Sequence, residues 1–345
     1  EVFVPQNIKY RYADDSYILA GYQQDGNSRR TGWVENRTYN PDTTGTTEVW
    51  RKKIQSTAAA DEVTLFDLCV DDNDNLFAVG VVDESPWMIK YSSDGVLQWT
   101  ASSFQGNAQY RSVATDNTNL YVCGMNYVAN STGGSDIAFV EKFNQYGYPL
   151  WGKHMMFEGE DISLTHVAVT PDNDVVALGG IDADYGFMVK LDGNTGDVLW
   201  DKTLKSPKYV SFFGAIQKEN VRPQSIFIDG KGQIYVTANI LYSDSINFGF
   251  KGLLMKFDPE GNLIWQRTAD PTLASQDIEF RDVIAETETE QVIVLGHYEP
   301  QSGTNGLLLS KYTKDGSILW RREIQTTAGN VNSWGHSLDA DSSFY

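Results

Sequence analysis

Residues 191–200 read LDGNTGDVLW: a Leu, a polar turn closed by Gly196, then a short apolar run into Trp200. The same stretch returns along the chain. YSSDGVLQW ends at Trp99, FNQYGYPLW at Trp151, FDPEGNLIW at Trp265 and YTKDGSILW at Trp320. Each places Gly four residues before Trp, and all but YSSDGVLQW put an apolar residue just ahead of it. With Trp50 included, the markers are separated by 49, 52, 49, 65 and 55 residues, a period that points to a repeat architecture.

Each interval holds four strand-like runs. In the unit ending at Trp99 they are TLFDLCV (64–70), LFAVGVV (76–82), WMIKY (87–91) and VLQWTA (96–101), separated by DDNDN, DESP and SSDG. Turn residues between short apolar runs read as antiparallel strands, and no helical spacing interrupts them. The second strands align Gly21, Gly80, Gly124, Gly179, Ala238 and Gly296, a small residue that permits close backbone approach. The third strands carry Lys before an aromatic or Leu, at Lys90, Lys142, Lys190, Lys256 and Lys311; the first unit departs with WVENRTY.

A four-stranded unit of this size cannot bury both faces alone, so units must stack on their neighbours, and a stack closed on itself is a β-propeller. The expected fold is therefore all-β, one propeller domain over 1–345, with blades at 1–55, 56–103, 104–157, 158–207, 208–272 and 273–327. Residues 328–345, including SWGHSLDADSSFY, read as part of a seventh blade. The alternative is a six-bladed ring with a pendant C-terminal strand. The repeated tryptophans are expected to fill space between blades.

The pattern FVEKFNQYGYPLW, followed by VTPDNDVVALGG, resembles the secreted seven-bladed-type β-propeller repeat (SBBP-like). The likeness spans nearly the whole chain. It implies an exported or cell-surface propeller and no common chemistry. LDGNTGDVLW is also similar to the blades of quinoprotein dehydrogenases, but one unit alone has Thr-Gly there, and Cys69 and Cys123 lie 54 residues apart where those enzymes place a vicinal pair. The sialidase Asp-box is not matched, because Asp94 and Gly95 are adjacent.

With 27 Lys and Arg against 46 Asp and Glu, the net charge of −19 repels nucleic acid and anionic lipid. No run of 18 apolar residues exists to cross a bilayer. The opening EVFVPQ fits a processed chain or an arbitrary start equally. Asn36 and Asn130 head N-x-S/T tripeptides in segments that read as loops, and are candidate glycosylation sites. Pairing residue 69 with 77 puts Cys69 and Cys123 on equivalent faces of successive blades, so both are expected as buried free thiols with no disulfide.

Titratable groups converge poorly. The four histidines are scattered without metal-ligand spacing, and no phosphate loop or nucleophile elbow is present. Asp71 to Asn75 clusters oxygen donors but lacks the order of a calcium loop, and a strand-connecting turn favours those residues anyway. No metal and no cofactor is implied.

Variable connections lie on the second-to-third-strand side: GNSRRTG (26–32), NYVANSTGGSD (126–136), NILYSDSINFGFKG (239–252) and the crossover at 204–225. Variable loops on a rigid scaffold are where binding concentrates. The last two bring Tyr209, Phe212, Phe213, Tyr242, Phe248 and Phe250 together with Lys208 and Arg222, an aromatic surface with basic edges suited to a protein or glycan partner. The function expected from sequence is thus a non-enzymatic, extracellular or cell-surface binding or assembly module. The alternative is a lyase or hydrolase in a central funnel, using Asp161, His166, Arg222, Asp277 and Arg281.

Overall fold

The computed structural model describes residues 2–11, 15–25, 29–40, 45–54, 62–103, 107–130, 133–157, 159–182, 185–205, 220–243, 248–269, 277–299 and 306–324. These form six four-stranded antiparallel sheets, the blades of an all-β propeller. The first contains β1 (Val2–Arg11), β2 (Ser16–Gln24), β3 (Arg30–Asn40) and β4 (Gly45–Ile54). The second contains β5 (Val63–Val70), β6 (Leu76–Val82), β7 (Ser85–Tyr91) and β8 (Leu97–Ala101). The third contains β9 (Ala108–Thr115), β10 (Asn119–Asn130), β11 (Gly133–Asn144) and β12 (Pro149–Met155).

The fourth is built from β13 (Ile162–Val169), β14 (Val175–Ile181), β15 (Tyr185–Leu191) and β16 (Val198–Leu204). The fifth holds β17 (Asn220–Ile228), β18 (Ile234–Ser243), β19 (Phe248–Phe257) and β20 (Leu263–Ala269). The sixth holds β21 (Asp277–Ala285), β22 (Val292–Glu299), β23 (Gly306–Tyr312) and β24 (Ile318–Ile324). Residues 328–345, read as the start of a seventh blade, lie outside the described residues. The chain divides into two compact units with a boundary between Val167 and Ala168.

Within each unit, blades stack face to face. In the first unit, Ile18, Ala20 and Val34 of blade one join Leu65, Leu68 and Ile89 of blade two, and Phe77, Val79 and Met88 of blade two join Tyr110, Leu120 and Phe139 of blade three. In the second, Leu178 and Met188 meet Val236 and Met255, while Tyr235 and Leu254 meet Phe280 and Val294. Burying these apolar faces is the main stabilising term, since each fully buried Leu, Val or Phe contributes about 1.5–3 kcal/mol.

The repeated Trp and Gly act as one device. The third-to-fourth-strand turn of four blades lies on the tryptophan of the blade before it: Gly95 on Trp50, Gly147 on Trp99, Gly261 on Trp200 and Gly316 on Trp265. A Cβ at these glycines would sit 2.8–3.2 Å from the indole. Their φ values of 75° to 82° also require the left-handed region. The indole then bonds to the turn it supports: Nε1 donates to Gln145 O from Trp99 (3.0 Å), to Pro259 O from Trp200 (3.3 Å) and to Lys314 O from Trp265 (2.7 Å). At Trp50 the matching carbonyl, Ser93 O, accepts from buried Arg11 instead (3.1 Å), and Trp50 Nε1 is left without a partner among the described residues.

The apolar residues one or two places ahead of these tryptophans are not core. Leu97, Leu150, Leu199, Ile264 and Leu319 are 49–53% exposed on the outer strands. Cys69 pairs with Phe77 and Asp67 with Val79, the register read from sequence. Both cysteines are free and buried, and burial pushes both thiols up. Asp71 serves its own turn: Oδ1 accepts from Asn73 N and Asn75 N at 2.9 and 2.8 Å.

Several segments read as loops are strands. Asn36 sits in β3 and is 1% exposed, so the folded chain hides this sequon. Its polar neighbours in WVENRTY misled the reading, although Trp33 and Val34 are buried between them. Asn130 closes β10 and pairs with Gly133. The 126–136 and 239–252 connections are long hairpins whose ladders run to Asn130↔Gly133 and Ser243↔Phe248. Extending the ladder satisfies backbone groups that an irregular loop would leave to water.

The second-strand glycines have a distinct cause. A Cβ on Gly21, Gly80, Gly124 or Gly296 would overlap the carbonyl oxygen of Val4, Thr64, Gln109 or Glu279 on its own blade's first strand. Gly80→Ala is therefore expected to lower unfolding free energy by about 1–3 kcal/mol through overpacking, whereas Ala238→Gly at the aligned position of blade five should cost only about 1 kcal/mol in backbone entropy. Urea titrations of both variants check this, and equal midpoints would count against the close-approach explanation.

Candidate functional site

The first strands crowd those glycines because they are bulged. An extra residue interrupts the register at Gln6 in β1, Phe66 in β5, Arg111 in β9, Gln224 in β17 and Arg281 in β21. A bulge bends the strand and re-aims side chains, which is why bulges recur beside functional sites. Here it gives these first strands two special positions: the bulged residue, polar in all but Phe66, and the polar residue after it.

The residue after the bulge ties blades together. Asp67 Oδ1 accepts from Asn7 Nδ2 and Leu68 N, while Oδ2 accepts from Ser112 Oγ (2.6 Å) and Val113 N (3.0 Å). Ser112 Oγ in turn accepts from Val167 N at 3.2 Å. In the second unit Ser225 Oγ donates to Asp282 Oδ1 at 2.6 Å. Charge-assisted bonds of this kind fix the strands carrying the bulged residues.

The bulged residues meet their counterparts on the next blade. Gln224 Oε1 accepts from Arg281 Nη1 at 3.0 Å, and Glu279 Oε2 accepts from Arg281 Nη2 at 2.7 Å. Arg111 lies over the Phe66 ring at 4.4 Å. It is half-buried, and among the described residues no carboxylate bonds to its guanidinium. Burial lowers its proton affinity, opposed by Cys123 and by Asp136, but an arginine stays charged in a protein.

The Asp136 carboxyl stands near this cation, and that of Asp161 near Asp136. Asp136 N donates to Asp161 Oδ1 at 2.9 Å. Burial raises the half-buried Asp136 carboxyl above the usual range and Asp161 raises it further, against a lowering pull from Arg111. Asp161 itself is exposed. The group thus offers a fixed cation for an anion, a carboxyl biased toward its protonated form and a second carboxyl open to water. Pairs of acids in unequal surroundings are a recurrent basis for proton transfer.

The sequence-named residues divide between the units. In the first, Asp161 joins Asp136, and His166 Nδ1 lies 3.0 Å from Thr165 Oγ1. In the second, Arg222 stacks over Phe250 at 5.7 Å, and Asp277 Oδ1 accepts from Phe250 N at 3.1 Å, with burial raising its carboxyl. Of the expected aromatic surface, Phe250 and Arg222 do meet. Tyr209, Phe212, Phe213 and Lys208 lie outside the described residues, as do the side chains of Tyr242 and Phe248, whose backbones belong to β18 and β19.

Sequence reasoning missed Arg111, Asp136, Phe66 and Asp67. A signal was present: Gln6, Phe66, Arg111, Gln224 and Arg281 occupy one column when blades are aligned on the second-strand small residue. A large side chain repeated there breaks the two-residue alternation of a regular strand.

A second polar cluster sits between blades two and three. Glu141 Oε2 accepts from Ser103 Oγ (2.5 Å) and Tyr110 OH (3.2 Å). Its counterpart Glu35 binds Arg37 and Arg51, but no cation pairs with Glu141 among the described residues.

No known protein family's pattern matches the chain, and no curated protein matches it. Solved structures do. The periplasmic gluconolactonase PpgL of Pseudomonas aeruginosa is 11% identical with a TM-score of 0.57, over 95% of this chain and 87% of that one. A Lactobacillus plantarum protein is 14% identical with a TM-score of 0.56, over 90% and 82%. A mutant of the Synechocystis apocarotenoid oxygenase is 10% identical with a TM-score of 0.51, over 95% and 83%. At these identities the likeness is one of fold. It nevertheless overturns the expectation of a non-enzymatic module, which took propeller repeats without a recognised motif as a ground for excluding catalysis: two of these three neighbours are enzymes.

Burial raises the Glu141 carboxyl, and the Ser103 and Tyr110 hydroxyls only partly offset it. A carboxyl whose folded proton affinity exceeds the unfolded one stabilises most below the unfolded pKa, and that contribution is lost as pH rises through the folded value. Glu141→Gln should therefore match wild type near pH 4 and gain in thermal midpoint as pH rises toward about 8. A constant difference across that range would show that Glu141 titrates as it does when unfolded.

Proposed function

We propose that this chain is a hydrolase- or lyase-type enzyme for a small, oxygen-rich, anionic substrate, with its site at Arg111, Asp136 and Asp161. The observation that carries the reading is the Arg111 guanidinium, stacked on Phe66 with no bonded carboxylate among the described residues, beside an acid that burial favours in its protonated form. A half-buried arginine without an anion is costly unless a ligand supplies one. Its planar fork suits a carboxylate or phosphate.

In the hydrolytic form, Arg111 binds the anionic group and orients the scissile ester or lactone. The Asp161 carboxylate takes a proton from water as the water oxygen bonds to the carbonyl carbon. The C–O bond breaks, and Asp136 gives its proton to the leaving oxygen, so one water is consumed and the two carboxyls exchange roles before resetting. Asp67 and Ser112 hold the bulge that presents Arg111. The gluconolactonase among the fold neighbours makes sugar lactones and sugar acids the first compounds to assay. The likeness of the repeat to secreted propellers supports action outside the cytoplasm, a reading that recovery of the chain from the cytosolic fraction of its cell would refute.

Arg111→Ala is expected to raise KM at least about tenfold, one charge-assisted contact's worth. Asp136→Asn should lower kcat by about 10²–10⁴ with little change in KM. A panel of lactones, esters and sugar acids measures both against wild type, with circular dichroism confirming the fold. Turnover left intact by both substitutions would contradict the assignment.

A further inference from the structure

A groove of about 460 Å³ opens between the fourth and fifth blades, within the second unit. Lys202 and Lys205 line its fourth-blade wall, Met255 and Phe257 its apolar floor, and Gln266 its fifth-blade wall. The volume suits a ligand of one or two sugar rings.

The groove exists because this blade pair lacks the fillers used elsewhere. Between blades two and three, the corresponding space is crossed by Glu141 reaching Ser103 and Tyr110. Met255 holds the position of Glu141 before the third-strand lysine, and Gln266 pairs with it as Gly152 pairs with Glu141. Between blades five and six, Arg267 closes the turn by donating to Gly316 O (3.0 Å) and Asp315 O (2.8 Å). Its counterpart Lys202 only lies over the Trp200 ring at 5.9 Å. Among the described residues, neither Lys202 nor Lys205 has a carboxylate within ion-pair distance.

The recognition chemistry is specific. Two ammonium groups without carboxylates, on a chain of net charge −19, ask for an anion. Gln266 Oε1 is buried without a hydrogen-bond partner among the described residues, an acceptor for an O–H or N–H. The Phe257 and Met255 floor suits an apolar face. A uronic acid offers all three: a carboxylate, hydroxyl donors and the C–H face of a pyranose ring. We propose that this groove is a binding site for a uronic acid, as the free acid or as a residue of an acidic polysaccharide.

Isothermal titration with sodium glucuronate tests it, with glucose, an oligogalacturonide and hexaglutamate as comparison arms. Saturable glucuronate binding in the millimolar range or tighter is expected, with glucose at least about tenfold weaker. The Lys202→Ala/Lys205→Ala pair should lose at least about tenfold and Gln266→Leu several-fold, while Lys202→Arg binds as wild type. Tighter binding of the oligogalacturonide marks a polysaccharide residue as the ligand, and equal binding marks the free acid. Absence of saturable binding to either uronate, equal affinity for glucose, preference for hexaglutamate, or undiminished binding by the folded double variant would overturn the proposal. Loss of uronate binding in Arg111→Ala alone would overturn it too, by moving the site to Arg111.

Discussion

The contact on which the described structure depends is an indole laid under the glycine turn of the following blade. A four-stranded sheet of about fifty residues has two apolar faces and too few residues to cover either, so its stability is a property of pairs. Tryptophan meets that need with large area and a directional N–H. The area glues the sheets, and the bond from Nε1 to a turn carbonyl sets their register. Glycine is required on the receiving side for two independent reasons, positive φ and the absence of space for a Cβ. The first pair of blades varies the scheme: buried Arg11 takes the Ser93 carbonyl and is held by Asp74 at 3.4 Å.

The same stacking creates the places where chemistry can sit. The first strands of five blades are bulged, and the bulge separates two tasks. The residue after it, such as Asp67 or Asp282, locks adjacent strands with buried or half-buried hydrogen bonds. The bulged residue is freed from the ladder's alternation and meets its counterpart next door. Arg281 finds partners in Gln224 and Glu279, and Arg111 finds an aromatic ring but no hydrogen-bonded anion among the described residues. An identical backbone device thus yields one cation with hydrogen-bonded partners and one available for a ligand. The third-strand lysines show the structural use of the same charge: Lys256 is 3% exposed and reaches Glu290 of the next blade.

What the sequence made legible was whatever repeats with the blade. Gly196 and Trp200 announce their turn and their packing because the same pair returns at a fixed spacing of four residues. Gly80 announces a close approach, though not that a bulge in β5 is its cause. Arg111 was not legible, since a bulge is an insertion that two-residue periodicity treats as noise. Asp136 was hidden because its surroundings come from long hairpins that read as loops. Asn36 was misread for the opposite reason, a polar run that is nonetheless a central strand. The aromatic surface around Arg222 and Phe250 was found in part because β17 and β19, which carry them, flank the same strand, whereas the unequal environments of Asp136 and Asp161 depend on contacts between blades that no local pattern records.

A double-mutant cycle between Trp265 and Gly316 tests the central claim most directly, using Trp265→Leu, Gly316→Ala and the pair in urea unfolding. If the indole and the glycine turn act as one device, the two losses are strongly non-additive, with a coupling energy of about 1–2 kcal/mol. Additivity within about 0.5 kcal/mol would mean that each residue serves its own blade separately, and the account of how these blades are joined would fail.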